Sequence, residues 1–268
     1  MGRVLIGYSA CPLTRAAFEA HGHDVWTCDL LPARDDSPKH LQGDIWQVAL
    51  TQHWDFAVLH PMCTYLTCSA AWAFGDGPYH QKVKPGTLVG AARRAARDEA
   101  LENFRKLLAL PFPVAIENPG TSFVSKAIRK PSQIVQPYEF GDDASKATGF
   151  WLSEGVPLLV PTKYVEPRMV CACGCTFDYE RAGKYGCPNC TGENPVRPRW
   201  ANQTDSGQNR LSPSDDRWLK RSETFPGIAA AMGNQWGRWL NRRISANDNH
   251  KHANDNLPLL ALMEPRHD

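Results

Sequence analysis

Two short segments carry residue types suited to chemistry. The first is His60-Pro61-Met62-Cys63-Thr64, where a thiol follows an apolar run that ends in a proline. The second is Glu117-Asn118-Pro119, where a carboxyl group follows another apolar run. A thiolate can add to an electron-poor ring carbon, and a nearby acid can neutralise the charge that develops on the ring. Proline stiffens the turn that would present the cysteine. Each segment has a plainer reading on its own: Cys63 as a structural thiol, and Glu117-Asn118 as a cap or turn. Their occurrence in one chain, each closing a strand-like run, favours the chemical reading.

A third group is VCACGCTFDYERAGKYGCPNC, which holds five of the nine cysteines. Cys187 and Cys190 have the spacing of a zinc knuckle, and Cys171 and Cys173 form a partner pair. Four thiolates leave no coordination position for water, so the expected Zn2+ is structural. Cys175 is spare and could replace Cys171 or Cys173. With no secretory signal at the N-terminus, a reducing cytoplasm and a metal site are expected, not a disulfide framework. A redox-active pair is the lesser alternative.

These groups need elements to position them. Residues 4–9, 24–31, 54–61 and 111–120 read as short apolar strands, separated by helical segments such as Ala91 to Leu110. This alternation predicts an α/β fold, a doubly wound, mostly parallel sheet covered on both faces. Ligands of such sheets sit at the carboxyl ends of the strands, where Asp29, Asp44, Cys63 and Glu117 fall. Residues 133–152 read as further strands around a turn, 191–217 as a loop, and 225–244 as a helix. The polar segment from Ser245 predicts a disordered tail over 245–268. With 30 basic and 28 acidic residues the net charge is +2, so only a local basic face would bind nucleic acid. No apolar run is long enough to span a bilayer.

At these motifs the chain resembles the cytosine-5 DNA methyltransferases. Pro61-Met62-Cys63 is similar to the family's Pro-Cys motif with one residue inserted, and Glu117-Asn118-Pro119 to its Glu-Asn-Val motif. Arg217, Thr224-Phe225-Pro226-Gly227 and Ala231-Met232-Gly233-Asn234-Gln235 are similar to its last two motifs, the second being a Gly-Asn turn. The likeness to small phage and prophage proteins of cytosine-methylase type is closer still, through GHDVWTCDLLP, HPMCTYLT, ENPG and RSETFPGIAAAMGNQW. It spans roughly residues 3–240.

The resemblance implies a Rossmann-like methyltransferase domain over 1–165 and 211–244, with a zinc ribbon and basic loop inserted at 166–210. It implies methyl transfer from S-adenosylmethionine to carbon 5 of cytosine in DNA, with Cys63, Glu117 and Asn118 as catalytic residues. Tyr8, Ser9, Asp29, Asp44, Pro61, Gly233 and Asn234 would line the cofactor. Asp29 would take the ribose hydroxyls and Asp44 the adenine amino group; loop or cap carboxylates are the alternative for both.

Three departures stand out. The family's glycine-rich first loop reads Tyr8-Ser9-Ala10-Cys11-Pro12 here. The Gln-x-Arg-x-Arg motif that helps hold cytosine is missing, with Lys146 standing near its place as a substitute or as a solvated lysine. Only about 60 residues separate Trp151 from Leu211, too few for the long target-recognition region. The ribbon with Arg197, Arg199 and Arg210 would then grip DNA phosphates. Other readings stay open: the same chemistry on a free pyrimidine nucleotide or with a different one-carbon group, a catalytically silent DNA-binding relative, and a zinc-ribbon adaptor.

Overall fold

The structure, a computed structural model, describes residues 1–79, 82–190, 194–212, 214 and 217–255. Its first apolar run forms β1 (Arg3–Gly7), with Val4 and Ile6 on one face and Leu5 on the other, all fully buried. Helix α1 (Pro12–Glu19) starts on a proline, whose missing N–H is no loss in a first turn. The chain leaves it through Gly22, whose φ of +79° suits a residue without a side chain. There follow β2 (Asp24–Asp29), β3 (His40–Gln42), α2 (Ile45–Thr51) and β4 (Phe56–Leu59). A 3-10 turn at Cys68–Phe74 leads to α3 (Gly90–Leu108), β5 (Val114–Pro119), α4 (Phe123–Ala127), β6 (Gln133–Val135) and β7 (Thr148–Leu152).

These strands form one seven-stranded sheet in the order β3-β2-β1-β4-β5-β7-β6. Strands β1 to β5 pair in parallel, and β7 runs antiparallel between β5 and β6. The sheet is mostly parallel, as expected, and consistent with a Rossmann-like architecture. The chain winds outward from β1 to β3, then returns to build β4 and β5 on the other side. The strand order therefore reverses between β1 and β4, which opens a crevice at their carboxyl ends.

Both faces of the sheet are covered. On one face Phe18, Ile228, Trp236 and Leu240 pack over Val4, Ile6, Phe56 and Phe150. On the other, Ile45, Leu101, Phe104 and Leu107 pack over Leu5, Ala57, Leu59 and Ile116. Burial on both faces explains why these strands read as continuous apolar runs with no polar alternation.

A separate three-stranded sheet, β10-β8-β9, is built from β8 (Arg168–Cys171), β9 (Thr176–Asp178) and β10 (Val196–Arg199), with α5 (Tyr179–Tyr185) between the last two. Strand β10 corrects the expectation of a loop across 191–217. Val196 to Arg199 pair with β8 although Pro198 offers no N–H, because β10 is an edge strand. Helix α6 (Arg217–Ser222) precedes α7 (Pro226–Ala231), a π-helical stretch at Met232–Gly237, and α8 (Arg238–Asp255).

The expected disordered tail also needs correction, since α8 continues helical through residues 245–255. No glycine or proline interrupts this stretch, and extending a formed helix is far easier than starting one. Residues 256–268 lie outside the described residues. Among the described residues, no helix is long and apolar enough to cross a membrane.

Candidate active site

The ends of β4 and β5 bring the two sequence motifs together. Leu59 pairs with Ile116, so the next residues, His60 and Glu117, are neighbours at the carboxyl edge of the sheet. His60 Nδ1 lies 3.0 Å from Glu117 Oε2, and both side chains are largely buried. One residue further on, Asn118 is fully buried and donates its side-chain amide to the carbonyl of Pro61 at 3.0 Å.

Cys63 is clamped from both sides. Asn118 holds the carbonyl two residues before it. Arg93, buried in α3, donates to the carbonyl of Thr64 just after it, at 3.0 Å. The Arg93 guanidinium also donates to Leu88 O and lies over the rings of Phe74 and Tyr65. The Cys63 carbonyl accepts the backbone N–H groups of Leu66 and Thr67. Cys63 as a residue is exposed, beside an exposed Met62.

Lys146 is part of this site. It precedes β7, and its backbone N–H donates to Gln136 Oε1 at 3.0 Å. Its ammonium donates to Glu223 O and lies over the Phe225 ring. With Glu117, Thr148, Phe150, Thr224, Phe225 and Ile228 it lines a cavity of about 10 Å³, room for one water molecule.

The electrostatics of the three groups interlock. Burial opposes charge on Glu117, but Lys146 and the His60 hydrogen bond outweigh it, so the carboxyl sits below its ordinary value. Desolvation on the packed side of the turn, then the Glu117 charge, push the Cys63 thiol above its ordinary value; Lys146 and Arg221 pull it back. A carboxylate and a thiol that sense each other across a strand end, each also sensing one lysine, are groups that thiolate addition to a polarised ring would use.

The residues expected to line a cofactor divide into two sets. Tyr8 and Ser9 end β1, Asp29 ends β2, and Asp44 follows β3, all on the same edge as Cys63. Tyr8 adopts φ +57°. This left-handed backbone costs a side chain about 1–2 kcal/mol and is what a glycine would have supplied. The ring is tethered through its hydroxyl to Asn103, which Trp46 also contacts. Asp29 Oδ1 accepts the Leu31 N–H, and Asp44 Oδ1 accepts the Trp46 N–H as the cap of α2. Both therefore also serve as local turn and cap carboxylates.

Gly233 and Asn234 form the second set, and the turn expected for them requires a correction. They lie inside the π-helical stretch, not in a turn. A side chain on Gly233 would meet the Ala17 carbonyl at 2.3 Å, so its smallness serves the packing against α1. Asn234 is exposed. The part of this C-terminal motif at the site is Thr224-Phe225, with Gly227 donating its N–H to Asp142 at 2.9 Å. A side chain on Gly227 would meet Phe140 O at 2.0 Å.

The structure gathers the four expected cysteines into one cluster. Sulfur atoms of Cys171, Cys173, Cys187 and Cys190 all lie within 4.8 Å of one another. The contacts Cys171–Cys190 and Cys173–Cys187 are 3.4 and 3.5 Å, too long for disulfides and close to the roughly 3.8 Å edge of a tetrahedral zinc–thiolate site. Desolvation works against a thiolate at Cys187, but the N–H groups of Asn189 and Cys190 outweigh it and bring that thiol down to about 6. The cluster could hold a metal ion such as zinc. Cys175 packs against the same small core, outside this set of four.

The ribbon arginines behave unequally. Arg197 and Arg210 are exposed. Arg199 is used internally: its guanidinium donates to Asp205 O and Pro198 O and lies against Gly207. The chain leaving the ribbon docks on the loop that carries Lys146. Trp200 stacks on Tyr138 at 4.1 Å, and Asn202 exchanges two hydrogen bonds with Ser145, beside Lys146. His60, Arg93, Gln136 and Asn202 are the supporting residues that motif spacing did not assign. Only His60 carried a signal, its place next to the Pro-x-Cys segment.

No model of a known protein family matches the chain, and no curated protein matches it.

Proposed function

We propose that the chain is an S-adenosylmethionine-dependent cytosine-5 methyltransferase acting on DNA, with Cys63 as nucleophile. The single observation that carries this reading is the pairing of the Cys63 turn with Glu117 at adjacent strand ends, coupled through His60, Asn118 and Lys146. The sheet supports it, since the reversal between β1 and β4 sets these residues beside the crevice where such folds take ligands.

The Cys63 thiolate adds to carbon 6 of the flipped-out cytosine, which makes carbon 5 nucleophilic. Glu117 faces the ring nitrogen and amino group. In the free protein His60 and Lys146 hold it as a carboxylate. Seating a neutral ring over it displaces water and favours the protonated form that can donate to ring nitrogen 3. Asn118 and Arg93 fix the turn, and Lys146 supplies the positive charge that the missing arginines would have given. The roughly 10 Å³ cavity beside Glu117 is too small for a base, so the Thr224-Phe225 turn must give way or the ring must enter from the Cys63 side.

S-adenosylmethionine supplies an electrophilic methyl group when bound. The Tyr8-Ser9 turn, with its left-handed backbone, and the Asp29 and Asp44 carboxylates fit an adenosine-type ligand at the ends of β1 to β3; Pro61 borders the same edge. Gly233 packs against α1 and Asn234 is exposed, so this reading of the cofactor site does not rest on them.

The decisive experiment is incubation with S-adenosylmethionine and duplex DNA containing 5-fluorocytosine. A covalent adduct mapped to Cys63, absent in Cys63→Ser, is the expected result. Adduct formation that survives Cys63→Ser overturns the assignment. Transfer to dCMP but not to DNA replaces DNA with a nucleotide as substrate. Absence of S-adenosylmethionine binding leaves a catalytically silent DNA-binding protein.

A further inference from the structure

We propose that the groove between α3 and α4 carries the phosphodiester backbone of the DNA whose base reaches Cys63. The inference rests on DNA being the substrate and places its backbone on a surface other than the ribbon. The groove encloses about 410 Å³ and is lined by Arg97, Asp98, Leu101, Arg105, Phe123, Lys126 and Ala127. Three cations face it against one carboxylate, over an apolar and aromatic floor. That composition suits a polyanion with stacking groups better than a small neutral metabolite.

The cations are arranged in advance. The Arg97 guanidinium lies 5.5 Å from the Phe74 ring centre and 5.3 Å from that of Phe123, while Lys126 lies 5.7 Å from the latter. Arg97 donates twice to Asp98, at 3.0 and 2.8 Å. Arg105 reaches Ala127 O at 3.4 Å and Glu102 at 3.5 Å. Asp98 and Glu102 are more than half exposed. Exposed pairs of this kind contribute little, so a phosphate can replace the carboxylate at small cost.

The groove is also tied to the chain segment that follows Cys63. Phe123 donates its backbone N–H to Leu66 O at 2.7 Å, and Thr67 bridges to Ser122. The start of α4 is thereby fastened to the segment that follows Cys63. Past the other end of α4, Lys130 is exposed and adds a further cation, whereas the Arg129 guanidinium is held by Leu152 O and Ser132. A row of cations leading away from the nucleophile matches a strand with a phosphate at every nucleotide. A free nucleotide, with its phosphates at one point, would leave most of the row unused.

The test uses the full chain with Arg97, Arg105 and Lys126 changed together to Gln. Binding to a fluorescent duplex is followed by anisotropy over about 50–200 mM salt. Each lost phosphate contact lowers the slope of log K against log salt by about 0.9, so a slope smaller by roughly 2–3 and at least about tenfold weaker binding are expected. Because Arg97 packs on two rings, the pair Arg105→Gln with Lys126→Gln, both exposed, repeats the test without disturbing the core; its slope should fall by about 2. Affinity and slope equal to wild type in both variants overturn the proposal, as does loss confined to Arg197→Gln with Arg210→Gln. Failure of the function reading looks different: groove-dependent binding persists, but no Cys63 adduct forms on 5-fluorocytosine DNA.

Discussion

The buried amide of Asn118 donates to the carbonyl of Pro61 at 3.0 Å, which makes it the tie between the strand end bearing Glu117 and the turn bearing Cys63. Its role is therefore to position the Cys63 turn. Asn118→Ala strands the Pro61 carbonyl and should cost about 1–3 kcal/mol of stability. Urea unfolding checks this, and 5-fluorocytosine capture by the folded variant should be slower than wild type at unchanged pH.

The charges around Cys63 give a signed prediction. Glu117 raises the thiol and Lys146 lowers it. Glu117→Gln should move the pH profile of Cys63 alkylation downward, and Lys146→Met should move it upward. Iodoacetamide labelling with peptide mapping isolates Cys63 from the other cysteines. No movement in either variant would mean that the three groups do not share a site.

Gly233 separates a packing role from a cofactor role. A methyl group placed 2.3 Å from Ala17 O should destabilise Gly233→Ala by about 1–3 kcal/mol or more, while the exposed Asn234→Ala stays within about 0.5 kcal/mol of wild type. Thermal melting reads both. A stable Gly233→Ala that had lost S-adenosylmethionine binding would restore the Gly-Asn motif to the cofactor site.

Metal removal should act locally and then reach the site. One zinc per chain is expected by elemental analysis. Chelation, or Cys187→Ser, should remove hydrogen-exchange protection from 168–199 while the seven-stranded sheet keeps its own. Protection at Ser145 and Lys146 should also fall, because Asn202 couples the ribbon to that loop. A ribbon that stayed protected without metal would show that its small apolar core suffices.

His23 predicts a pH-dependent stability term. It is buried, with Nε2 2.9 Å from Gly237 O and Nδ1 accepting the Gly2 N–H, which fits the neutral ring. Burial holds it below the ordinary histidine value, with the Gly237 hydrogen bond opposing. The unfolded chain then binds the extra proton first. This contribution is fully present above about pH 6.5 and is lost as pH falls toward the folded value. Denaturant titrations across that window should slope for wild type and be flatter for His23→Gln.

The sequence by itself determined the elements and the pairs close to them. Continuous apolar runs specified strands buried on both faces. Gly22 marked the stop of the first helical segment, and the spacing of Cys171, Cys173, Cys187 and Cys190 named a metal set that the structure draws together. Cys63 and Glu117 were legible because each ends such a run.

The tertiary structure alone decided what lies between these pieces. Lys146 joins Glu117 only because β7 inserts antiparallel beside β5. Arg93 reaches Thr64 only because α3 packs back over the sheet. Gly233 turned from an expected turn into a helix-packing contact because α7 and the π-helical stretch pack against α1, a placement that local pattern does not encode. The opening pair is thus a property of two strand ends, whereas the other half of the clamp, Arg93, and the positive charge of Lys146 lie 30 and 83 positions from Cys63 in sequence, and only the fold makes them neighbours.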